Sequence, residues 1–226
     1  MKAELLAVFG SDDMVVDCAR VSFSKNHTQY TEEQNARLIH YLARHRHWAP
    51  LAHPKAQFRI HAPIFVARQW EKHRIGTVRG YDIYDHSEES RRYVDAEPEF
   101  YIPDGWRGKP SGSIKQGSGD ALNSVANAAC DFDLRTAMTT CTEAYHHMLR
   151  RGVAPEMARM VLPQNMMTQW IETGSLYYWF NLCRLRLDSH AQKEIGDLAA
   201  QVSVAMSASF PVSWQAMLDA SKEVTT

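Results

Sequence analysis

The chain has 226 residues, 45% of them hydrophobic, and a formal net charge of −1. That length carries a domain with a full hydrophobic core, and near-neutral charge excludes a protein that coats nucleic acid or a membrane surface through its overall field. No apolar run approaches the ~20 residues of a membrane span.

In chain order, the N-terminal run MKAELLAVFGSDD has an apolar stretch too short, and too soon followed by acids, for a signal peptide. Thr31-x-x-Gln34 has the spacing of a capping box, opening a helix that carries Leu38, Ile39 and Leu42 on one face and stops before Pro50. Residues 56–62, AQFRIHA, alternate polar and apolar and read as a strand. Pro63 fits the first turn of a helix through Phe65, Val66 and Trp70, which delivers Lys72, His73 and Arg74 at its end. Residues 76–97 read as a loop, and Phe100-Tyr101-Ile102 as a short strand.

Gly105–Gly119, rich in Gly, Ser and Lys and without periodicity, reads as a mobile surface loop. A long helix is expected from about Asp120 to Arg151, ended by Gly152, and a short one follows Pro155. Residues 164–172 read as a strand. Ser175–Leu187 and Ser189–Ser207 read as helices, the second opened by Ser189-x-x-Gln192, and Pro211 starts a last helix through Trp214 and Leu218. Helices dominate, with a small antiparallel-rich sheet among them: an α+β architecture in a single domain spanning 1–226.

Chemistry concentrates between Arg68 and Tyr93, where Lys72-His73-Arg74 and Arg91-Arg92 bracket a glycine-containing, acid-bearing loop. Guanidinium forks and a lysine point charge suit phosphate; a solvated charged helix face is the plain alternative, and spacing alone does not separate the two. Arg184 and Arg186, two apart on a helix, are expected to point in different directions. The eleven histidines include His45, His47 and His53 in close succession, but no HExxH or CxxC motif supports a metal site. The four cysteines, Cys18, Cys130, Cys141 and Cys183, form no CxxC pair and read as reduced thiols of a cytoplasmic protein.

These residues fall into blocks that resemble the flavin-dependent thymidylate synthases along nearly the whole chain. The family signature is Arg-His-Arg-x-x-Ser-x-Asn-x-x-Ser-x-Arg. Lys72-His73-Arg74-Ile-Gly-Thr77 supplies its first half, and Ser87-Glu88-Glu89-Ser90-Arg91-Arg92-Tyr93 its second. Ala19-Arg-Val-Ser22-Phe, Ala62-Pro-Ile-Phe-Val-Ala-Arg-Gln-Trp70, Glu99-Phe-Tyr-Ile-Pro103, Ala158-Arg159-x-Val-Leu-Pro163 and Leu185-Arg-x-Asp-Ser-His-Ala-Gln192 follow in the family's order. Lys72, Thr77 and Ser87 replace signature residues, an additional segment from about Val78 to His86 splits the signature, and Ser175 stands where the family usually has a flavin-contacting asparagine.

The resemblance implies an enzyme that uses FAD, NADPH and 5,10-methylenetetrahydrofolate to methylate C5 of dUMP, acting as a homotetramer with active sites between subunits. It assigns Arg186 and His47 to catalysis, with Arg186 on the pyrimidine edge. Arg68, Gln69, Glu88, Ser90, Arg91, Arg92, Arg159 and Arg186 are implied for the nucleotide. Ser22, His47, Lys72, His73, Arg74, Glu88, Ser175, Asn181, Leu185 and His190 are implied for the flavin, and no metal. No cysteine here follows a proline or precedes a histidine, which disfavours the covalent-cysteine route of the other thymidylate synthase family. The altered signature raises UMP as an alternative or additional substrate. A nucleic-acid-binding module is opposed by the charge and by the lack of a continuous basic stripe, and a metal hydrolase built on His45, His47 and His53 is the third alternative.

Overall fold

Alternation of side chains across a strand builds the centre of the molecule. The computed structural model describes residues 1–73, 85–93, 96–110 and 117–222. Arg74, Thr77 and the first part of the additional segment lie outside them. In β2 (Lys55–Pro63), Ala56, Phe58, Ile60 and Ala62 are buried while their neighbours turn away. In β4 (Met167–Ser175), Thr168, Trp170 and Glu172 occupy the same face. With β1 (Lys2–Phe9) and β3 (Asp85–Glu88) these strands form an antiparallel sheet in the order β1-β2-β4-β3. The register pairs Phe58 with Glu172 and Glu172 with His86, so a row of side chains crosses one face from the centre to the edge.

Helices cover that face. α1 (Asp12–Arg20) and α2 (Glu32–Arg44) precede the short α3 (Trp48–Leu51), and α4 (Ile64–Trp70) follows β2 directly. α5 (Ser124–Arg150) and α6 (Pro155–Ala158) come before β4. α7 (Leu176–Arg186), α8 (Lys193–Ser209) and α9 (Pro211–Lys222) close the chain. α8 packs on β1 and α7, and α2 on α9. Trp70, Trp170, Trp179 and Trp214 are fully enclosed in the main core, and a second cluster gathers Tyr145, Ala158, Leu162 and Met166. Full burial of a large apolar side chain contributes roughly 1.5–3 kcal/mol, so these indoles rank among the larger single contributors.

The α+β reading agrees with this architecture, and several local expectations hold. Thr31 caps α2 in a reciprocal capping box with Gln34. α5 ends before Gly152, which adopts a left-handed φ of +80° that a side chain resists. Other readings need correction. The N-terminal segment is a strand, β1, followed by α1. Residues 85–88, read as loop, are the edge strand β3; their polar sequence Asp-His-Ser-Glu gives no apolar alternation, and pairing with β4 supplies the order. Phe100 makes only an isolated bridge to Met166.

The helix expected from Ser189 begins at Lys193. Asp188 instead accepts from the His190 N–H at 2.8 Å, and that turn competes with a serine cap. The described flanks of the 105–119 loop are tied together: Gly108 N donates to Asp120 O, Gly119 N to Gly108 O, and Arg107 pairs with Glu194 at 2.6 Å.

One glycine sets the packing of α7 on the sheet. A Cβ at Gly174 would lie 2.3 Å from Cδ1 of the buried Tyr178 ring. Gly174→Ala should therefore destabilise the fold by roughly 1–3 kcal/mol while displacing Tyr178. Chemical denaturation checks this, and an unchanged midpoint contradicts it.

Candidate active site

α4 feeds two cavities from consecutive residues of its last turn. Pro63 ends β2 at φ −69° and turns the chain into the helix. Arg68 then faces a cavity of about 390 Å3, also lined by Glu88, Glu89, Arg91 and Arg159. Gln69 faces a cavity of about 690 Å3, with Arg107, Arg184, Leu185, Arg186 and His190 among its lining. Of the nucleotide residues expected from sequence, Arg68, Glu88, Arg91 and Arg159 line the smaller depression and Gln69 and Arg186 the larger, while Ser90 and Arg92 line neither.

The smaller cavity is set up for an anion. Arg68, Arg91 and Arg159 are brought together from α4, the segment after β3, and the turn after α6. Three guanidinium groups face two glutamates, and one of those, Glu88, already accepts from Thr168 Oγ1 at 2.7 Å. Arg91 is buried and donates to the Ala96 carbonyl. Ser90 Oγ accepts from Arg92 N at 3.4 Å and Arg92 Nε at 3.0 Å. Those contacts orient a donor-bearing loop, and among the described residues no base is paired with the hydroxyl to make it a nucleophile.

The larger cavity offers both donors and an acceptor. Arg186 Nη2 reaches the Gln69 carbonyl at 3.4 Å, while Arg186 Nε and Gln69 Oε1 are buried without a hydrogen-bond partner. Buried polar atoms of this kind call for a ligand or water. Burial lowers the Arg186 pKa from its ordinary value, yet a guanidinium remains charged in proteins. Arg184 and Arg186 both line this cavity, Arg184 exposed and Arg186 half-buried against Gln69. Arg107 was not singled out by the sequence; its place depends on the tertiary pairing with Glu194 and with Ser118 Oγ at 2.8 Å.

The remaining expected flavin residues are distributed elsewhere. His47 is the residue before α3, and its ring lies 5.9 Å from that of Tyr41 and 6.4 Å from that of His45. Ser22 sits in a helical turn between the exposed Val21 and Phe23. Lys72 and His73 follow α4, and the buried His73 ring packs 5.2 Å from Tyr178. Ser175 caps α7 by accepting from Tyr178 N at 3.0 Å, and Asn181 donates to Tyr177 O at 2.9 Å. Within one chain, His47 and Ser22 share neither cavity lining with Arg186.

The elements that carry the site meet at a buried acid. Glu172 is 0% exposed. Its Oε2 accepts from Trp70 Nε1 at 2.8 Å and Trp170 Nε1 at 3.0 Å, and its Oε1 accepts from the Tyr178 hydroxyl. His86 Nδ1 stands 3.9 Å from the same carboxylate. Beyond it, Glu71, His86 and Glu88 converge with donor and acceptor atoms within 4.8 Å of one another, the imidazole lying among three carboxylates in all.

A family model described as thymidylate synthase complementing protein matches residues 4–212. A flavin-dependent thymidylate synthase from Thermus thermophilus is 36% identical over 212 residues, covering 94% of this chain and 73% of the relative. One from Kosmotoga olearia is 36% identical over 219 residues, covering 95% and 89%. Among solved structures, the UMP/dUMP methylase PolB from Streptomyces cacaoi bound with 5-Br dUMP superposes with a TM-score of 0.82 at 29% identity, covering 96% of this chain and 94% of that one. The same enzyme bound with 5-Br UMP gives 0.81 at 28% identity.

A charge-assisted hydrogen bond to phosphate contributes roughly 1.5–3 kcal/mol. Arg68→Ala and Arg159→Ala should each weaken binding of a nucleoside monophosphate at least about tenfold, measured by calorimetry, while the unphosphorylated nucleoside loses nothing. Equal losses for nucleotide and nucleoside contradict the assignment.

Proposed function

The chain belongs to the flavin-dependent thymidylate synthase family, and from that premise we propose that it methylates C5 of the uracil ring of dUMP, with UMP as a second substrate. Bound FAD supplies the hydride and one-carbon chemistry of such an enzyme, and NADPH and 5,10-methylenetetrahydrofolate are the reductant and carbon donor assigned here. The observation that carries the reading is the pair of arginine-lined cavities flanking α4. One suits a phosphate. The other holds one guanidinium nitrogen, Arg186 Nε, and one amide oxygen, Gln69 Oε1, that are both buried without a partner. A pyrimidine edge, with acceptor and donor atoms side by side, complements that pair.

Roles follow from the chemistry of each group. Arg68, Arg91 and Arg159 bind the phosphate, with Ser90 and Arg92 shaping the loop beside it and Glu88 accepting from the sugar. Gln69 and Arg186 address the uracil. C5 of uracil becomes nucleophilic only as negative charge develops on the ring, and a guanidinium at the edge stabilises that charge. A cation about 4 Å away at an effective dielectric near 20 contributes roughly 4 kcal/mol, and about 1.4 kcal/mol is tenfold in rate. Lys72, His73, Ser175, Asn181, Leu185 and His190 are assigned to the flavin, with Arg74 from outside the described residues. Ser175 has its hydroxyl engaged in capping α7, so its contribution to flavin is through the backbone turn it holds.

His47 and Ser22 join the site from a neighbouring subunit of a homotetramer. That placement fits their distance from both cavities and the bareness of α5. On that helix only Tyr145 is buried, while Val125 and Phe132 are 79% and 71% exposed. Large exposed apolar groups at helical spacing indicate an interface. Phe132→Glu should lower the assembly mass in light scattering and reduce flavin retention with it; a full-size, fully flavinated variant contradicts the shared site.

UMP as a second substrate rests on the likeness to a UMP/dUMP methylase and on Ser87 at the start of the nucleotide loop. Purified protein reconstituted with FAD should show flavin absorbance and form dTMP from dUMP and methylated UMP from UMP. Arg186→Met removes the charge and should lower kcat/KM by two orders of magnitude or more, consistent with the roughly 4 kcal/mol above, whereas Arg186→Lys, which keeps the charge but loses the planar fork, should lose less. Protein that takes up no flavin contradicts the whole reading, and absence of UMP methylation removes only the second substrate.

A further inference from the structure

Glu172 lines neither cavity, yet it contacts α4, β4 and α7 and faces β3, four elements that help to build them. Trp70 is the last residue of α4, two positions beyond Arg68 and directly before the Glu71–His73 turn. Trp170 and Thr168 lie on β4, and Thr168 bonds Glu88. Tyr178 lies in the first turn of α7, the helix that ends in Arg184 and Arg186. His86 sits opposite Glu172 in the β3–β4 register, two residues before Glu88 on the same face. We propose that Glu172, acting through His86, is a positioning residue for the nucleotide: it seats β3 on the sheet edge in the register that aims Glu88 and the following Ser90–Arg92 loop into the phosphate cavity. This inference rests on the nucleotide reading above.

The physical argument begins with the cost of the acid. A carboxylate withdrawn from water costs several kcal/mol unless its oxygens are satisfied, and here two indole N–H groups and a phenol satisfy them. Those donors are neutral, and among the described residues His86 is the ionisable group set against that charge. The charged groups that face His86 are Glu172 from β4, Glu71 from the turn after α4, and Glu88 from its own strand; Trp170 adds a ring 6.1 Å away. Interaction with Glu172 is the largest influence and holds the imidazole above its ordinary value; burial opposes it, and the attraction of Glu172, Glu71 and Glu88 adds to it. A polar edge strand with little apolar contact is thereby fixed by one buried ion pair and its ladder bonds. A group with a raised folded pKa contributes fully below its unfolded value and ceases to contribute as pH rises through the folded value. The seating of β3 should therefore weaken above the ordinary histidine value of 6.5.

Glu172→Gln is the informative variant. Its amide oxygen can accept both indoles and its amide nitrogen can donate to the Tyr178 oxygen, so shape and hydrogen bonding survive while the charge is lost. With the FAD-loaded enzyme, we expect KM for dUMP to rise about tenfold, with kcat at saturation and flavin absorbance within about twofold of wild type. In the wild type, KM should climb as pH rises above 6.5, and that climb should shift to lower pH in Glu172→Gln. His86→Gln should match Glu172→Gln, the double variant should be no worse than either single one, and His86→Lys should restore KM and flatten its pH profile. A Glu172→Gln enzyme with wild-type KM and pH profile overturns the inference, as does one that loses flavin, kcat and KM together. Calorimetry with 5-bromo-dUMP separates the layers. A wild type that binds no nucleotide overturns the underlying reading as well. A wild type that binds beside an unimpaired Glu172→Gln overturns this inference alone.

Discussion

The buried carboxylate of Glu172 is the constraint on which this structure turns. It lies in the row Phe58–Glu172–His86 across the covered face of the sheet, where an apolar side chain would be the default. Its oxygens are accounted for by groups from β4, α4 and α7. Because each donor belongs to a different element, the geometry of the acid is also the geometry of the helix ends and strand around it. Gly174, two residues along, has no side chain because Tyr178 must lie against it to reach Glu172.

From that joint the candidate site spreads outward. α4 presents Arg68 to one cavity and Gln69 to the other; α7 presents Arg184 and Arg186; β3 presents Glu88 and passes into Ser90–Arg92. The chemistry proposed for these residues is electrostatic: to hold a phosphate and to stabilise charge on a uracil ring. In this proposal bond-making falls to the flavin, in keeping with a Ser90 hydroxyl that has no base beside it among the described residues and a buried Cys183 whose thiol is pushed up by burial, away from reactivity.

Much of this was legible in the sequence because the signals were local. The capping box at Thr31, the alternation through 56–62 and the glycine after Arg151 each dictate backbone within a few residues, and the blocks of family resemblance named the candidate site residues. What escaped depended on pairing at long range. β3 has no apolar pattern of its own, and β1 lacks clean alternation. Arg107 enters its cavity only through Glu194 far along the chain. Glu172 is the sharpest case. In the run Trp-Ile-Glu-Thr nothing local says that an acid is enclosed, and only the meeting of Trp70, Tyr178 and His86 around it reveals that it points inward. Ser189 failed for the opposite reason: two local capping solutions competed, and Asp188 won the turn.

The central claim is that the two arginine-lined cavities are the two ends of one nucleotide site, completed by a neighbouring subunit. A crystal structure of the FAD complex soaked with 5-bromo-dUMP tests it most directly. The account predicts phosphate oxygens within hydrogen-bond reach of Arg68, Arg91 and Arg159, and the uracil edge on Arg186 and Gln69, with His47 approaching from a second chain. A nucleotide bound elsewhere, or one held with its uracil away from Arg186, would contradict it.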